Sequence, residues 1–230
     1  MKVLLINGTK RRQTTYNVAK KFISKLGENV ELEELFLPDA MPKFCTGCGT
    51  CFLLDEKKCP HYEYTKEILS KILWCDIIVF ASPVYVYHTT GQIKTLLDHF
   101  AFMWMIHRPN TKMFKKQAVI ITTAAGGGNK STIKDISDSM YYWGIKRVHS
   151  LGVNVRAVKY NEVGEKILKI IDIKTSKLAK KVLRGYKSKK VCFKSKSKYY
   201  LFKNLHKHIN LNENDKKYWV ESGLINHKPF

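Results

Sequence analysis

Four cysteines crowd into residues 45–59 as Cys45-Thr-Gly-Cys48-Gly-Thr-Cys51, followed after seven residues by Cys59-Pro60. In a reducing compartment such a cluster reads as metal or redox chemistry rather than as a disulfide framework. Three thiols spaced by two residues on a glycine-containing loop can converge on one face of a [4Fe–4S] cube, with a fourth supplied from further along. Four thiolates also suit structural Zn²⁺, although this spacing crowds a tetrahedral site. A metal-free loop is the third reading. Cys75 and Cys192 lie apart, and a lone cysteine is most often a small buried hydrophobe.

Three further segments are suited to holding a ligand. Gly8-Thr9-Lys10-Arg11-Arg12-Gln13-Thr14-Thr15 joins an apolar run to a helical pattern. N–H groups at a helix N-terminus attract a phosphate, the hydroxyls of Thr9, Thr14 and Thr15 can donate to it, and Lys10 or Arg11 can neutralise it. The loop has neither the dinucleotide nor the triphosphate glycine pattern, so a monophosphate is its natural guest. Ser82-Pro83-Val84-Tyr85-Val86-Tyr87-His88 offers a stiff exit from a strand and an aromatic surface, as a flat heterocycle requires. Thr122-Thr123-Ala124-Ala125-Gly126-Gly127-Gly128 is built of small residues that let backbone approach a ligand. Taken singly, each is also an ordinary cap, turn or connector; together they describe a slot for a phosphorylated flat ring. Flavin mononucleotide (FMN) has that form.

The elements that must position these loops follow from hydrophobic pattern. Strands are expected over 2–7, 30–37, 76–81, 117–123 and 148–155, and helices over 16–26, 64–73, 92–104, 131–143 and 161–183. Such alternation gives a doubly wound five-stranded parallel sheet in the order 2-1-3-4-5, with its ligand crevice at the carboxyl ends of the strands. The expected division is a nucleotide-binding domain over 1–183 and a basic helical extension over 184–230. Within the extension, 184–198 reads as a poorly structured link, and 199–208 and 215–222 as short helices packed on the domain or on a partner subunit. Lys94 and Asp98 are spaced for an i,i+4 ion pair. His107-Arg108-Pro109 reads as a surface loop, with an active-site lid reaching a nicotinamide phosphate as the alternative.

The balance of 41 Lys and Arg against 19 Asp and Glu leaves a net charge of +22. The excess concentrates in residues 173–230, with 16 Lys and Arg to three Asp and Glu and no acidic residue from 173 to 212. Such a block can meet a polyanion or an anionic membrane surface, or form a solvated face, which is the commoner outcome. No apolar run approaches the length of about 20 residues that spans a bilayer, and the N-terminus is too soon interrupted for a signal peptide, so a cytoplasmic location is expected.

Over residues 1–160 the chain resembles the flavodoxin-like NAD(P)H-dependent FMN reductases. The matching features are Gly8-Thr9-Lys10-Arg11…Thr15, Asp76…Ser82-Pro83-Val84-Tyr85, Gly91…Lys94…Leu97-Asp98 and Thr123-Ala124-Ala125-Gly126. The cysteine pattern also resembles that of the iron–sulfur flavoproteins of the same superfamily. The resemblance implies that Thr9, Arg11, Thr14 and Thr15 hold the FMN phosphate. It places Pro83, Val84, Tyr85 and Val86 along the ring, and Thr123, Ala124, Ala125, Gly126 and Gly127 along its other edge. Lys10 stands where many relatives have proline. The implied activity is hydride transfer from NAD(P)H through bound FMN to a small-molecule or protein electron acceptor, in a homodimer or larger assembly. Tyr85 and His88 are candidate proton donors. Two other readings are an electron carrier that pairs FMN with a [4Fe–4S] cluster on Cys45, Cys48, Cys51 and Cys59, and a basic polyanion-binding module.

Overall fold

The computed structural model describes residues 1–209 and 211–230. Five strands, β1 (Lys2–Asn7), β2 (Glu31–Phe36), β3 (Ile77–Pro83), β4 (Gln117–Ala124) and β5 (Arg147–Asn154), form one parallel sheet in the order β2-β1-β3-β4-β5. The expected flavodoxin-like, doubly wound architecture is therefore present. β1, β3 and β4 are buried along almost their whole length, as strands covered on both faces must be, while β2 lies half-exposed at one edge.

Alternate side chains of the central strands point to opposite faces. Leu4, Ile6, Ile78, Phe80 and Ile120 pack with α4 (Tyr62–Trp74), α5 (Gly91–His99) and α6 (Asn129–Tyr142) through Ile68, Ile72, Leu96, Ile136 and Met140. On the other face, Val3, Leu5, Val79, Val119 and Ile121 pack with α1 (Thr14–Ser24) and α7 (Glu165–Lys187) through Val18, Phe22, Ile171 and Val182. The cysteine segment carries two four-residue helices, α2 (Leu37–Ala40) and α3 (Thr50–Leu53).

Two expectations are corrected here. The helix expected to reach residue 104 stops at His99, because Phe102 and Met103 turn into the core and Met105 joins a third cluster. The link expected over 184–198 is mostly helix, since α7 runs on to Lys187 and α8 (Phe193–His208) begins after five intervening residues. Within that charge run Val191 is buried, and in the helix expected from residue 199 Tyr199 and Phe202 are buried too. α8 and α9 (Glu213–Glu221) build this third cluster with Met105, Phe114, Trp219 and Leu224. The boundary expected at residue 183 falls inside α7. Among the described residues, no helix is long and apolar enough to cross a membrane.

Trp219 is fully buried, and its indole N–H donates to the His107 carbonyl at 2.8 Å. Replacing it by alanine is expected to cost about 3–5 kcal/mol, as for other large core deletions. The cost should lower the midpoint of a single urea transition followed by circular dichroism. An unchanged main transition would show that the extension unfolds on its own.

Candidate functional site

The carboxyl ends of the strands surround an open groove. It is lined by Asn7, Thr9, Arg11, Gln13, Thr14 and Thr15 from the first loop, and by Pro83, Val84 and Tyr85 from the second. Thr123, Ala124 and Ala125 come from the third loop, and Val155, Ala157 and Val158 from beyond β5. Ten of the expected contact residues thus converge. α1 starts without a side-chain cap, so its first N–H groups face the groove unclaimed. The hydroxyl of Thr14 is buried with no hydrogen-bond partner, as is Oδ1 of Asn7, whose amide donates to the Leu35 carbonyl. Thr15 shares a 2.6 Å hydrogen bond with Thr123, tying the first loop to the third. Arg11 and Gln13 reach the backbone at Val158 and Tyr160. Unclaimed donors at the head of a helix, beside an exposed guanidinium, fit a phosphate; the small and apolar residues opposite fit the edge and face of a flat ring.

Three expected residues lie elsewhere. Val86 points into solvent at 93% exposure, and Gly126 and Gly127 stand outside the groove, with Gly126 accepting from the Asn154 amide and Gly127 beside the Tyr87 ring. The glycine that packing demands is Gly128, at φ +88°, where a Cβ would sit 2.5 Å from Val84 and 2.9 Å from the Tyr87 backbone. His88 also leaves the groove and pairs with Asp135 at 3.0 Å on α6. The loop after β5 was missed, since its residues carry no motif; its place at the same sheet rim was the available signal.

The four clustered cysteines line one pocket together with Pro60, His61, Asp98 and His99. Gly47 and Gly49 adopt left-handed backbone (φ +68° and +72°), which turns the chain between successive thiols. Hydrogen bonding by Thr50, whose hydroxyl lies 3.2 Å from Cys48 Sγ, holds the Cys48 pKa down. Burial, and then the neighbouring thiols Cys59, Cys45 and Cys48, push Cys51 up to about 11. Cys59 is raised for the same reasons, burial first. Two thiols whose ionisation is opposed by burial and by neighbouring thiols are what a bound cationic centre relieves. His61 and His99 were not expected here. Nδ1 of His99 donates to the Thr95 carbonyl at 2.8 Å, which leaves its Nε2 to accept from His61 Nδ1 at 2.9 Å. The ligand atoms of Cys59, His61 and His99 lie within 4.8 Å of one another, although the two histidines spend those nitrogens on each other. His99 comes from α5, far from the cysteine loop in sequence, so no local spacing announces it.

Lys94 and Asp98 form the expected ion pair. Arg108 corrects the surface-loop reading, because it is 8% exposed and bonded to Asp215 at 2.9 Å.

Residues 84–88 hold strained backbone. Val86 and Tyr87 have φ of +48° and +64°, and reciprocal 3.0 Å hydrogen bonds between Tyr85 and His88 close a two-residue turn of the kind that requires this conformation. A β-branched residue there costs about 1–2 kcal/mol. The turn is held from outside, by Ser131 on the Tyr87 carbonyl and by Asp135 on the Thr89 N–H and the His88 ring. Val86→Gly is expected to raise stability by about 1 kcal/mol, read as a higher urea midpoint. A midpoint unchanged or lowered would contradict the strain.

The family model described as NADPH-dependent FMN reductase matches residues 1–156. An iron-sulfur flavoprotein of Archaeoglobus fulgidus is 29% identical over 98% of this chain and 100% of its own length. Another, from Methanocaldococcus jannaschii, is 36% identical over 43% of this chain and 51% of its own. Among solved structures, an azoreductase of Bacillus anthracis aligns with a TM-score of 0.62 at 15% identity, covering 79% of this chain and 99% of that one, a likeness of fold. With the matched segment spanning all five strands and the loops at their carboxyl ends, the chain belongs to the NADPH-dependent FMN reductase family.

Proposed function

We propose that this protein is an FMN-dependent NAD(P)H oxidoreductase that delivers electrons to a second acceptor, and that Cys45, Cys48, Cys51 and Cys59 hold an iron–sulfur cluster. The observation carrying the first part is the groove at the strand ends, where an unpartnered Thr14 hydroxyl and the uncapped start of α1 face the same space as Pro83–Tyr85 and Thr123–Ala125. The second part is supported by four thiols around one pocket and by the iron-sulfur flavoprotein names of the relatives.

Bound FMN supplies hydride acceptance and onward electron transfer, and a cluster supplies single-electron steps. The chain's own residues bind and orient. The α1 N–H groups, Thr9, Thr14, Thr15 and Arg11 would hold the phosphate. Pro83, Val84, Ala124 and Ala125 would border the ring with backbone and small side chains. Tyr85, 43% exposed and lining the groove, would shield the ring from water and pass a proton from its phenol. His88 is assigned no such role, since it pairs with Asp135 away from the groove.

The test is the visible spectrum of anaerobically purified protein, with flavin and iron analysis and NADH and NADPH as reductants. The proposal predicts bound flavin that either nicotinamide bleaches, together with about four iron atoms per chain. Yellow, iron-free protein with rapid turnover would remove the cluster and leave the reductase. Protein that stays colourless after incubation with FMN would remove the whole reading. Thr14→Val should weaken FMN binding by about 1.5–3 kcal/mol, the worth of a hydrogen bond to a charged group, measured by flavin fluorescence quenching. Unchanged affinity would take Thr14 out of the phosphate site.

A further inference from the structure

The extension was expected to pack its helices on the domain or on a partner subunit and to turn its charge to a polyanion or solvent, and several of its side chains contact the cysteine segment. Asn212 Nδ2 donates to the Phe52 carbonyl at 3.1 Å, and Asn214 Nδ2 donates to the Leu53 carbonyl at 2.6 Å. Arg108 donates to the Cys51 carbonyl and lies 3.5 Å from that of Phe52. These are carbonyls of α3, which a four-residue helix cannot satisfy by itself. A cation at that end also suits the helix dipole.

Arg108 does more than cap. The same guanidinium lies 3.4 Å from Glu56, in the turn that leads to Cys59. It therefore links the segment bearing the third thiol to the segment bearing the fourth. Its charge is balanced on the far side by Asp215, 1% exposed, whose other oxygen is 2.8 Å from His107 Nδ1. The His107 ring stacks on Phe52 at 4.3 Å, and its carbonyl accepts from Trp219. Asn212 caps α9 by accepting from the N–H groups of Asn214 and Asp215, which fixes the side chains that reach across. Apart from that cap, the links named end on residues 51–56 or on the 107–108 pair.

We propose that the C-terminal extension is a clamp on the metal-ligand loop, with Arg108 and Asp215 as positioning residues that set the separation of Cys51 from Cys59. The inference rests on the cluster reading above for its purpose, and on the contacts alone for its mechanics. Asp215 would act on a cluster through Arg108 and His107, without touching a thiol, so its loss acts on geometry and on the balance of charge beside the pocket. A buried guanidinium that loses the nearer of its two carboxylate partners is left under-compensated, and it holds the two segments less firmly. Metal sites respond strongly to such supporting contacts.

The experiment uses the full chain with Asp215→Asn and, separately, Asn214→Ala, an exposed position whose loss spares the fold. Three quantities are read: iron release to a chelator under anaerobic conditions, alkylation of each cysteine by iodoacetamide in the metal-free protein, and FMN affinity as the control for folding. Asp215→Asn is expected to speed iron release and Cys51 alkylation by about tenfold, and Asn214→Ala by about threefold, with FMN affinity unchanged. Buried Cys75 serves as the internal reference. Rates within twofold of the unmodified protein in both variants would overturn the clamp. If Asp215→Asn loses FMN binding through misfolding, Asn214→Ala decides alone. If the unmodified protein takes up no iron, the cluster reading falls, and the alkylation rates still decide the clamp.

Discussion

Strand β1 has β2 on one side and β3 on the other, so the connections that leave it and return past it diverge. In a parallel sheet this reversal opens a crevice at the carboxyl rim, and the helix that follows β1 starts there with its N–H groups free. The rest of the site is a consequence. β3 and β4 must deliver their loops to the same rim because each crossover returns the chain to the start of the next strand, which keeps all five parallel. Thr15 can meet Thr123, 108 positions later, because β4, on the far side of β3 from β1, carries Thr123 two residues past the level at which β1 ends (Asn7 opposite Ala81, and Ala81 opposite Ile121).

The two segments nearest to chemistry are not held by their own sequence. The turn at Val86 and Tyr87 sits in backbone that neither residue favours, and α6 holds it through Ser131, Asp135 and the room left by Gly128. Apart from α3 and the short turn at Glu56–Lys58, the cysteine loop is irregular, and it is held by Arg108 and by Asn212 and Asn214 at the head of α9. In both cases the sheet provides a rigid platform, and a later part of the chain fixes a loop that would otherwise move. Strain persists only where the surroundings over-determine it.

Much of this was legible in the residues. Runs such as Val3–Ile6 and Ile77–Phe80 admit little except a strand buried on both faces, and the Thr9–Thr15 loop announces a helix start that can take an anion. What escaped has a common cause, since it depends on contacts between segments far apart in the chain. Nothing about His99 hints that it meets His61, and nothing in Asp215 marks it as the partner of Arg108. The lysines of 184–198 suggested a solvated link, because that stretch holds one buried hydrophobe, Val191, and its two helical pieces belong to helices that extend beyond it on either side. Three consecutive glycines implied a ligand, whereas the crowding falls on Gly128 and is caused by the protein's own Val84 and Tyr87.

The central claim is that the head of α1 is a phosphate site that anchors a flat ring along β3 and β4. Parallel fluorescence titrations of the flavin-free protein with FMN and with riboflavin test it directly, because the two ligands share the ring and differ in the phosphate. The account predicts that FMN binds at least about tenfold more tightly, as one or more charge-assisted hydrogen bonds require. Equal affinity for the two would contradict it.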